Sequence, residues 1–424
     1  MNEIQKKIRQ KLDELPIVDV HTHLGGEGLR QARNLADIVS YHWLHLELQR
    51  AGSPAEVGEG RYPSDPDRYM EQAAPYFEKI RNTSNHYVFS GLIRDLYGFK
   101  DSYVTPDNWR ELDIKVREHA GDANRISAVL DKANIRKMTV PFKDGMPDNS
   151  DRYIPYEYGE YLFAAVTHRQ MSKLTGSTDE NDFPRSAAAL RKSVDQRMAW
   201  LHSEKQVKVL HIWIRDSWSY RRCHERDADY LLDRVLRNRN LTTEQEDLAI
   251  SFCADALAQA AAHYGMTLQL FHGMEIYRED APVSVAGFWN ERFMRSMSVF
   301  AAEHPEVTMD IFLATRIPSH EAASIARSAA NISLSGGWWH AFTPSTLVTF
   351  FKDRLELLPH TGWNAFFSDG YIVEWVYGKL LMTKHCLSRA LADYVDDQFI
   401  SFDDAVDIAR RLLHDNAYSL YKLS

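Results

Sequence analysis

The segment Asp19-Val20-His21-Thr22-His23 has the residue types and spacing most suited to chemistry. In an extended chain residues i and i+2 point to one side, so His21 and His23 can converge on a single point. Two neutral imidazoles on one face make the first half of a site for a divalent transition metal. An arbitrary His-x-His is more often a pair of polar side chains in an exposed loop. Here the apolar run Ile17-Val18 precedes it and Gly25, Gly26 and Gly28 follow, which places it where a strand runs into a loop. A carboxylate stands in similar surroundings near the other end of the chain, in Phe366-Phe367-Ser368-Asp369-Gly370. Asp369 can complete the metal site or move a proton, and a bound ion would keep it ionised. Its alternative role is to cap the helical segment that begins near Ile372.

Further histidines follow apolar runs. His272 ends Leu268-Gln269-Leu270-Phe271 and is either a fourth ligand or a hydrogen-bonded structural residue. His42, in Ser40-Tyr41-His42-Trp43, is an acid, a base or a substrate contact if it faces the same site, and otherwise a partner in an aromatic cluster. His211 falls inside Val207–Ile214 and reads as a core histidine. Arg215, at the end of that run, either faces an anionic ligand or sits in an exposed ion pair.

To meet, these residues must be delivered by strands that share one rim. Apolar strand candidates recur at Ile17–Val20, Lys137–Pro141, Tyr161–Val166, Val207–Ile214, Thr267–Phe271, Val307–Phe312, Asn331–Leu334 and Ala365–Ser368. Helical patterns separate many of them, at 34–51, 186–202, 243–264, 319–330 and 345–358, with a further one at 2–14. Such alternation predicts parallel βαβ units and a (β/α)₈ TIM barrel, whose chemistry sits at the carboxyl ends of the strands. Residues 52–125 predict a mainly helical insertion, because Tyr76, Phe77, Tyr87 and Phe89 call for burial; residues 372–424 predict helices only. The whole of 1–424 is read as one elaborated barrel.

The bulk properties exclude several classes. With 50 Lys+Arg against 59 Asp+Glu there is no basic stripe for nucleic acid. No apolar run approaches the ~20 residues of a membrane span. The first residues, MNEIQKKIRQKLDELP, are charged rather than signal-like, and Cys223, Cys253 and Cys386 lie far apart, so a reducing cytoplasm is expected. Exposed aromatic residues of the insertion would suit contacts between identical subunits.

Taken in order, these residues resemble the amidohydrolase superfamily of metal-dependent (β/α)₈ enzymes, and within it the uronate isomerase branch. The likeness rests on Val18-Asp19-Val20-His21-Thr22-His23-Leu24, on Tyr41-His42-Trp43, and on Leu334-Ser335-Gly336-Gly337-Trp338-Trp339 ahead of Ser368-Asp369. It implies that His21, His23 and Asp369 hold one divalent metal ion, Zn²⁺ by preference, and that His42 lies near the substrate. It further implies that Trp338 and Trp339 form an aromatic wall, the alternative being two core tryptophans. The implied reaction is aldose–ketose isomerisation of a hexuronate or related sugar acid, with Asp369 or His42 moving the proton and Arg169 or Arg215 holding the carboxylate. Two positions depart from the pattern. Where an arginine is expected two residues beyond the last-strand Asp, this chain has Tyr371, and Trp43 follows His42 where compact members often carry Tyr. A tyrosine cannot replace the bidentate grip of a guanidinium. Other branches imply a hydrolase or non-oxidative decarboxylase with a metal-activated water and His272 as a ligand. A catalytically degenerate sugar-acid binder is the third reading.

Overall fold

The computed structural model describes residues 1–25, 30–58, 61–142, 151–215, 217–276, 285–287 and 291–423, of which 274–276, 285–287 and 291 are described by their backbone alone. Gly26 and Gly28, read above as loop residues, lie outside the described residues. The main sheet has eight strands: β1 (Ile17–Asp19), β2 (Ile135–Pro141), β3 (Tyr153–Tyr158), β4 (Val209–Trp213), β5 (Thr267–His272), β6 (Met309–Leu313), β7 (Ile332–Ser335) and β8 (Trp363–Asn364). Sheet order follows chain order, and the paired neighbours run parallel. A parallel neighbour requires a crossover, and helices supply it, which is the (β/α)₈ arrangement. A short antiparallel ribbon joins Met274–Ile276 to Val285–Gly287. No helix among the described residues is long and apolar enough to cross a membrane. The chain divides into two compact units, Met1–Tyr153 with Thr343–Val348 and Phe366–Arg410, and Ile154–Phe342 with Thr349–Ala365 and Arg411–Ser424.

The first unit contains β1 and β2, the insertion and the long helix Val373–Asp396. Residues 66–132 contain several helices. Pro66–Ala73 starts with Pro at its first turn and an Asp65 side chain that accepts from Arg68 N–H, and Ser84–Tyr97 starts with a Thr83 side chain that accepts from His86 N–H. Each cap satisfies an amide that the helix leaves without an intrahelical partner. Phe77 and Phe89 are fully buried with ring centroids 5.2 Å apart, whereas Tyr87 stays exposed. Val373–Asp396 lies so close to Ser84–Tyr97 that a Cβ on Gly378 would come within 2.7 Å of Val88 Cγ1.

The helical stretch read at 34–51 is two helices, Leu35–Val39 and His42–Arg50. The break has a tertiary cause. The indole N–H of Trp375 donates to the carbonyl of Ile38 (3.0 Å), which an unbroken helix would offer to the amide of residue 42. Tyr41 stacks on the same indole, centroids 4.0 Å apart. His42 therefore opens a helix instead of lying in the middle of one.

In the second unit β3 corrects the reading of a strand at Tyr161–Val166. The strand is Tyr153–Tyr158, and Glu160–Phe163 is a short helix. Burial of Tyr161, Leu162 and Phe163 was legible, but their conformation was not. Pro155 and Glu157 broke the apolar pattern of the true strand. At the last strand, the ladder covers only Trp363–Asn364. Ala365–Ser368 is buried but outside it, and Ala365 N–H turns to the carbonyl of Leu412 (2.8 Å).

This unit also encloses a polar cluster. Asp310 on β6, fully buried, accepts hydrogen bonds from Tyr421 and from Ser335 Oγ (2.8 Å), while Gln269 Nε2 donates to Tyr421 Oη (2.9 Å). Burial pushes the Asp310 carboxyl from 3.8 up to about 7, against the hydrogen bonds and the charge of Arg354. Between roughly pH 4 and 7 the folded chain thus holds a proton that the unfolded chain has released, so this residue's contribution makes stability fall as pH rises. Asp310→Asn keeps an acceptor and removes the ionisation. Its Tm is expected to gain on the wild type between pH 5 and 8 in thermal melts followed by circular dichroism. A pH-independent difference would show that Asp310 titrates normally.

Candidate metal centre

The donor triad assembles within the first unit. β1 ends at Asp19, and the chain continues through His21 and His23 alongside the segment that follows β8. Asp369 N–H donates to His21 O and His23 N–H to Gly370 O, both 2.9 Å, so the two segments are joined by their backbones. Thr22 Oγ1 donates to Thr139 O and Thr139 Oγ1 to Val20 O, both 2.8 Å, which ties the same stretch to β2. Asp369 adopts φ +50°, a left-handed conformation that Asp tolerates better than most residues. At Gly370 a Cβ would lie 2.6 Å from Val376 Cγ2, so the turn that presents Asp369 has no room for a side chain there.

Asp369 Oδ1 stands 3.0 Å from His23 Nε2 and 3.8 Å from His21 Nε2, and the imidazoles are nearly perpendicular with centroids 5.0 Å apart. One donor atom from each of the three residues lies within 4.8 Å of the others. Ligands ~2.1 Å from a tetrahedral ion stand ~3.4 Å apart, and the observed spacings bracket that value. The donor set fits a divalent ion. Burial by itself would raise the Asp369 carboxyl; the hydrogen bond to His23 and the charges of Lys379, His23 and His21 outweigh it and hold it well below the usual carboxylate range.

Around the triad lie residues of contrasting charge. Asp19 Oδ1 accepts from Ser368 N–H (2.9 Å), and burial pushes its carboxyl up to about 7. Lys379, on the long helix, is buried with its Nζ 5.0 Å from the ring centre of Tyr41. Burial brings its ammonium down to about 8 against the pull of Asp369 and Asp19. His42 opens the helix His42–Arg50, packed against Tyr41 and Trp43 with centroids 4.5 and 5.0 Å away. Burial, then the charge of Lys379, pushes its imidazole down to about 3, so it is neutral at physiological pH. Tyr371 stacks flat on His23, with centroids 4.6 Å apart and planes 6° from parallel. The guanidinium of Arg61 lies 3.5 Å from the centre of the Tyr371 ring.

The remaining candidates belong to the second unit. His272 is buried and stacks on Phe293. Trp338 is buried and Trp339 half-buried, and both meet Trp213 edge-on, at 5.4 and 5.8 Å. Trp338 also packs against Phe271 (5.0 Å). His211 is in the core, edge-on to Phe271 at 4.2 Å. Arg215 is exposed and paired with Glu246 at 2.7 Å, the second of its two readings, and Arg169 is an exposed residue of the helix His168–Thr175. Lys379 and Arg61 had no role in the sequence reading. Lys379 is one of three cations in 373–392, beside Lys384 and Arg389, so the sequence did not single it out. For Arg61, in an irregular stretch rich in Gly and Pro, there was no signal either.

A scan against protein-family models and a search of curated proteins find no match to this sequence. Solved structures do match. A uronate isomerase from Thermotoga maritima aligns with TM-score 0.82 at 11% identity, over 99% of this chain and 98% of its own. A glucuronate isomerase from Caulobacter crescentus aligns with TM-score 0.83 at 15% identity, over 99% and 94%. A uronate isomerase from Bacillus halodurans gives 0.76 at 15% identity, over 100% and 98%. At such identities the likeness is one of fold, and it extends over nearly the whole of each chain. The protein has the (β/α)₈ fold of these isomerases.

Proposed function

We propose that this chain is a metal-dependent isomerase that interconverts the aldose and ketose forms of a hexuronate or a related sugar acid. The observation that supports it most is the convergence of His21, His23 and Asp369 on one point, in a chain with the fold of enzymes named for that reaction. His21, His23 and Asp369 would hold the ion, and Zn²⁺ suits two imidazoles and one carboxylate, as do Mn²⁺, Fe²⁺ and Co²⁺. A bound divalent ion supplies Lewis acidity toward the carbonyl and hydroxyl oxygens of an open-chain sugar.

The protein's own part is to keep charge and protons in place. Isomerisation needs a proton moved between neighbouring carbons, and a neutral imidazole or a carboxylate can accept it. His42, low in pKa and at a helix start, is neutral, with its ring centroid 6.2 Å from that of Tyr371. Asp369 stays ionised. Lys379, near both carboxylates, balances their charge. Hydrolysis and decarboxylation stay secondary, since both were tied to His272 as a further ligand and no observation supports that role.

The protein is to be purified with Zn²⁺ or Mn²⁺ and incubated with glucuronate and galacturonate. The ketose should form from at least one of them, and chelation should abolish the reaction. A preparation carrying about one metal per chain that converts no hexuronate would leave the isomerase reading without support.

A further inference from the structure

Tyr371 leaves the proposed site short of a cation at the place where the resemblance leads one to expect a guanidinium, and neither arginine nominated from the sequence supplies one visibly. Arg215 is committed to Glu246, and Arg169 is an exposed residue of a helix. Arg61, from the insertion, is placed differently. One face of the Tyr371 ring is covered by the imidazole of His23. A guanidinium 3.5 Å from the ring centre must therefore lie on the other face. Metal-ligand candidate, tyrosine and arginine form one continuous stack.

We infer that Arg61, held on the ring of Tyr371, is the residue that binds the carboxylate of the substrate. The inference rests on the isomerase reading for the identity of the anion. Stacking occupies the π face of the guanidinium and leaves its in-plane N–H donors directed outward, the edge that grips a carboxylate in bidentate fashion. Other arginines of the first unit have spent that edge on acidic neighbours: Arg33 on Asp37, Arg94 on Asp95, Arg110 on Glu71 and Arg117 on Asp113 and Asp67. No carboxylate among the described residues pairs with Arg61, whose side chain is exposed. Its charge is felt at His42, which places it in the field of the reacting groups.

The spacing also suits a sugar acid. An open-chain hexuronate carries its carboxylate at the far end of the carbon chain from its carbonyl. The group that holds the charge must stand well away from the metal ligands, and the thickness of one tyrosine separates Arg61 from His23. In this arrangement Tyr371 supplies the platform and Arg61 the charge, so the cation comes from the insertion and not from the loop after the last strand.

The test uses the full, metal-loaded chain and gulonate, which keeps the carboxylate of glucuronate but has an alcohol in place of its aldehyde and so cannot be isomerised. In Arg61→Ala the calorimetric Kd for gulonate is expected to rise at least about 10-fold, the scale of a lost charge-assisted hydrogen-bond pair. Metal content and the weak affinity for neutral sorbitol should stay unchanged. Arg61→Lys keeps the charge without the fork and should fall between the two. With glucuronate as substrate, KM should rise by a similar factor and kcat should change less. Equal gulonate affinity in wild type and Arg61→Ala, or no gulonate binding by wild type, overturns the assignment. Hexuronate turnover with an unchanged KM overturns it and leaves the isomerase reading standing. Loss of gulonate binding in Arg61→Ala, with no hexuronate turned over by wild type, upholds the anion site and removes the isomerase reading.

Discussion

Asp369→Asn is expected to lower hexuronate turnover by at least about a thousand-fold and to leave the purified protein with little bound metal. The substitution keeps shape and removes the negative charge. Asn can still reach His23, yet it is a poor ligand for a divalent ion and neutralises none of its charge. Residues outside the coordination sphere typically change affinity or activity by 10–100-fold, and a direct ligand should exceed that. Metal content by elemental analysis and turnover on glucuronate are the two readouts. A variant that retains about one ion per chain would show that Asp369 is not a ligand. There is also a stability consequence in the metal-free protein. A carboxyl held below its ordinary value contributes stability that is present above pH ~4 and lost as pH falls through the folded pKa. Metal-free Asp369→Asn should therefore melt lower than metal-free wild type at pH 7, with the gap closing in acid.

The second large effect is expected at His42. Asn at this position preserves a polar group but cannot take a proton. If His42 moves the proton, kcat should fall by about 10²–10⁴ while metal content stays near that of wild type. Its pH behaviour distinguishes it from an ordinary histidine. With the imidazole pushed down to about 3, it remains an acceptor throughout the assay range. The wild-type kcat profile should therefore show no inflection near 6.5 that disappears in His42→Asn. A kcat within about three-fold of wild type would reduce His42 to a member of the Tyr41–Trp43 cluster.

Much of this arrangement was readable where local chemistry speaks for itself. The run Ile17-Val18 announces a buried strand, and the His-x-His after it has few uses in that position. Asp65 and Thr83 mark helix starts because their side chains cap amides a few residues away. The helix 243–264 was legible from its pattern, and in the structure Thr242 caps its start and Gly265, at φ +64°, ends it. Elsewhere local pattern misled. Pro155 and Glu157 disguised β3, and the apolar run from Tyr161 is a buried helical turn, because burial alone does not select a conformation. The break at Ser40-Tyr41 was hidden for another reason: the indole that takes the Ile38 carbonyl belongs to Trp375.

By itself, then, the sequence determined the class of fold, the metal-ligand candidates and the absence of an arginine after Asp369. The first two are properties of neighbours along the chain, set by hydrogen-bonding geometry and side-chain periodicity over a few residues; the third is marked by the resemblance. What only the tertiary structure decided is the company those groups keep: Lys379 close to two carboxylates, His42 kept neutral by burial, Arg61 laid over Tyr371. Several of those relations, Lys379 with Asp19, Lys379 with His42 and Arg61 with Tyr371, join residues more than three hundred positions apart. They come from desolvation and through-space charge, which no spacing in the sequence encodes.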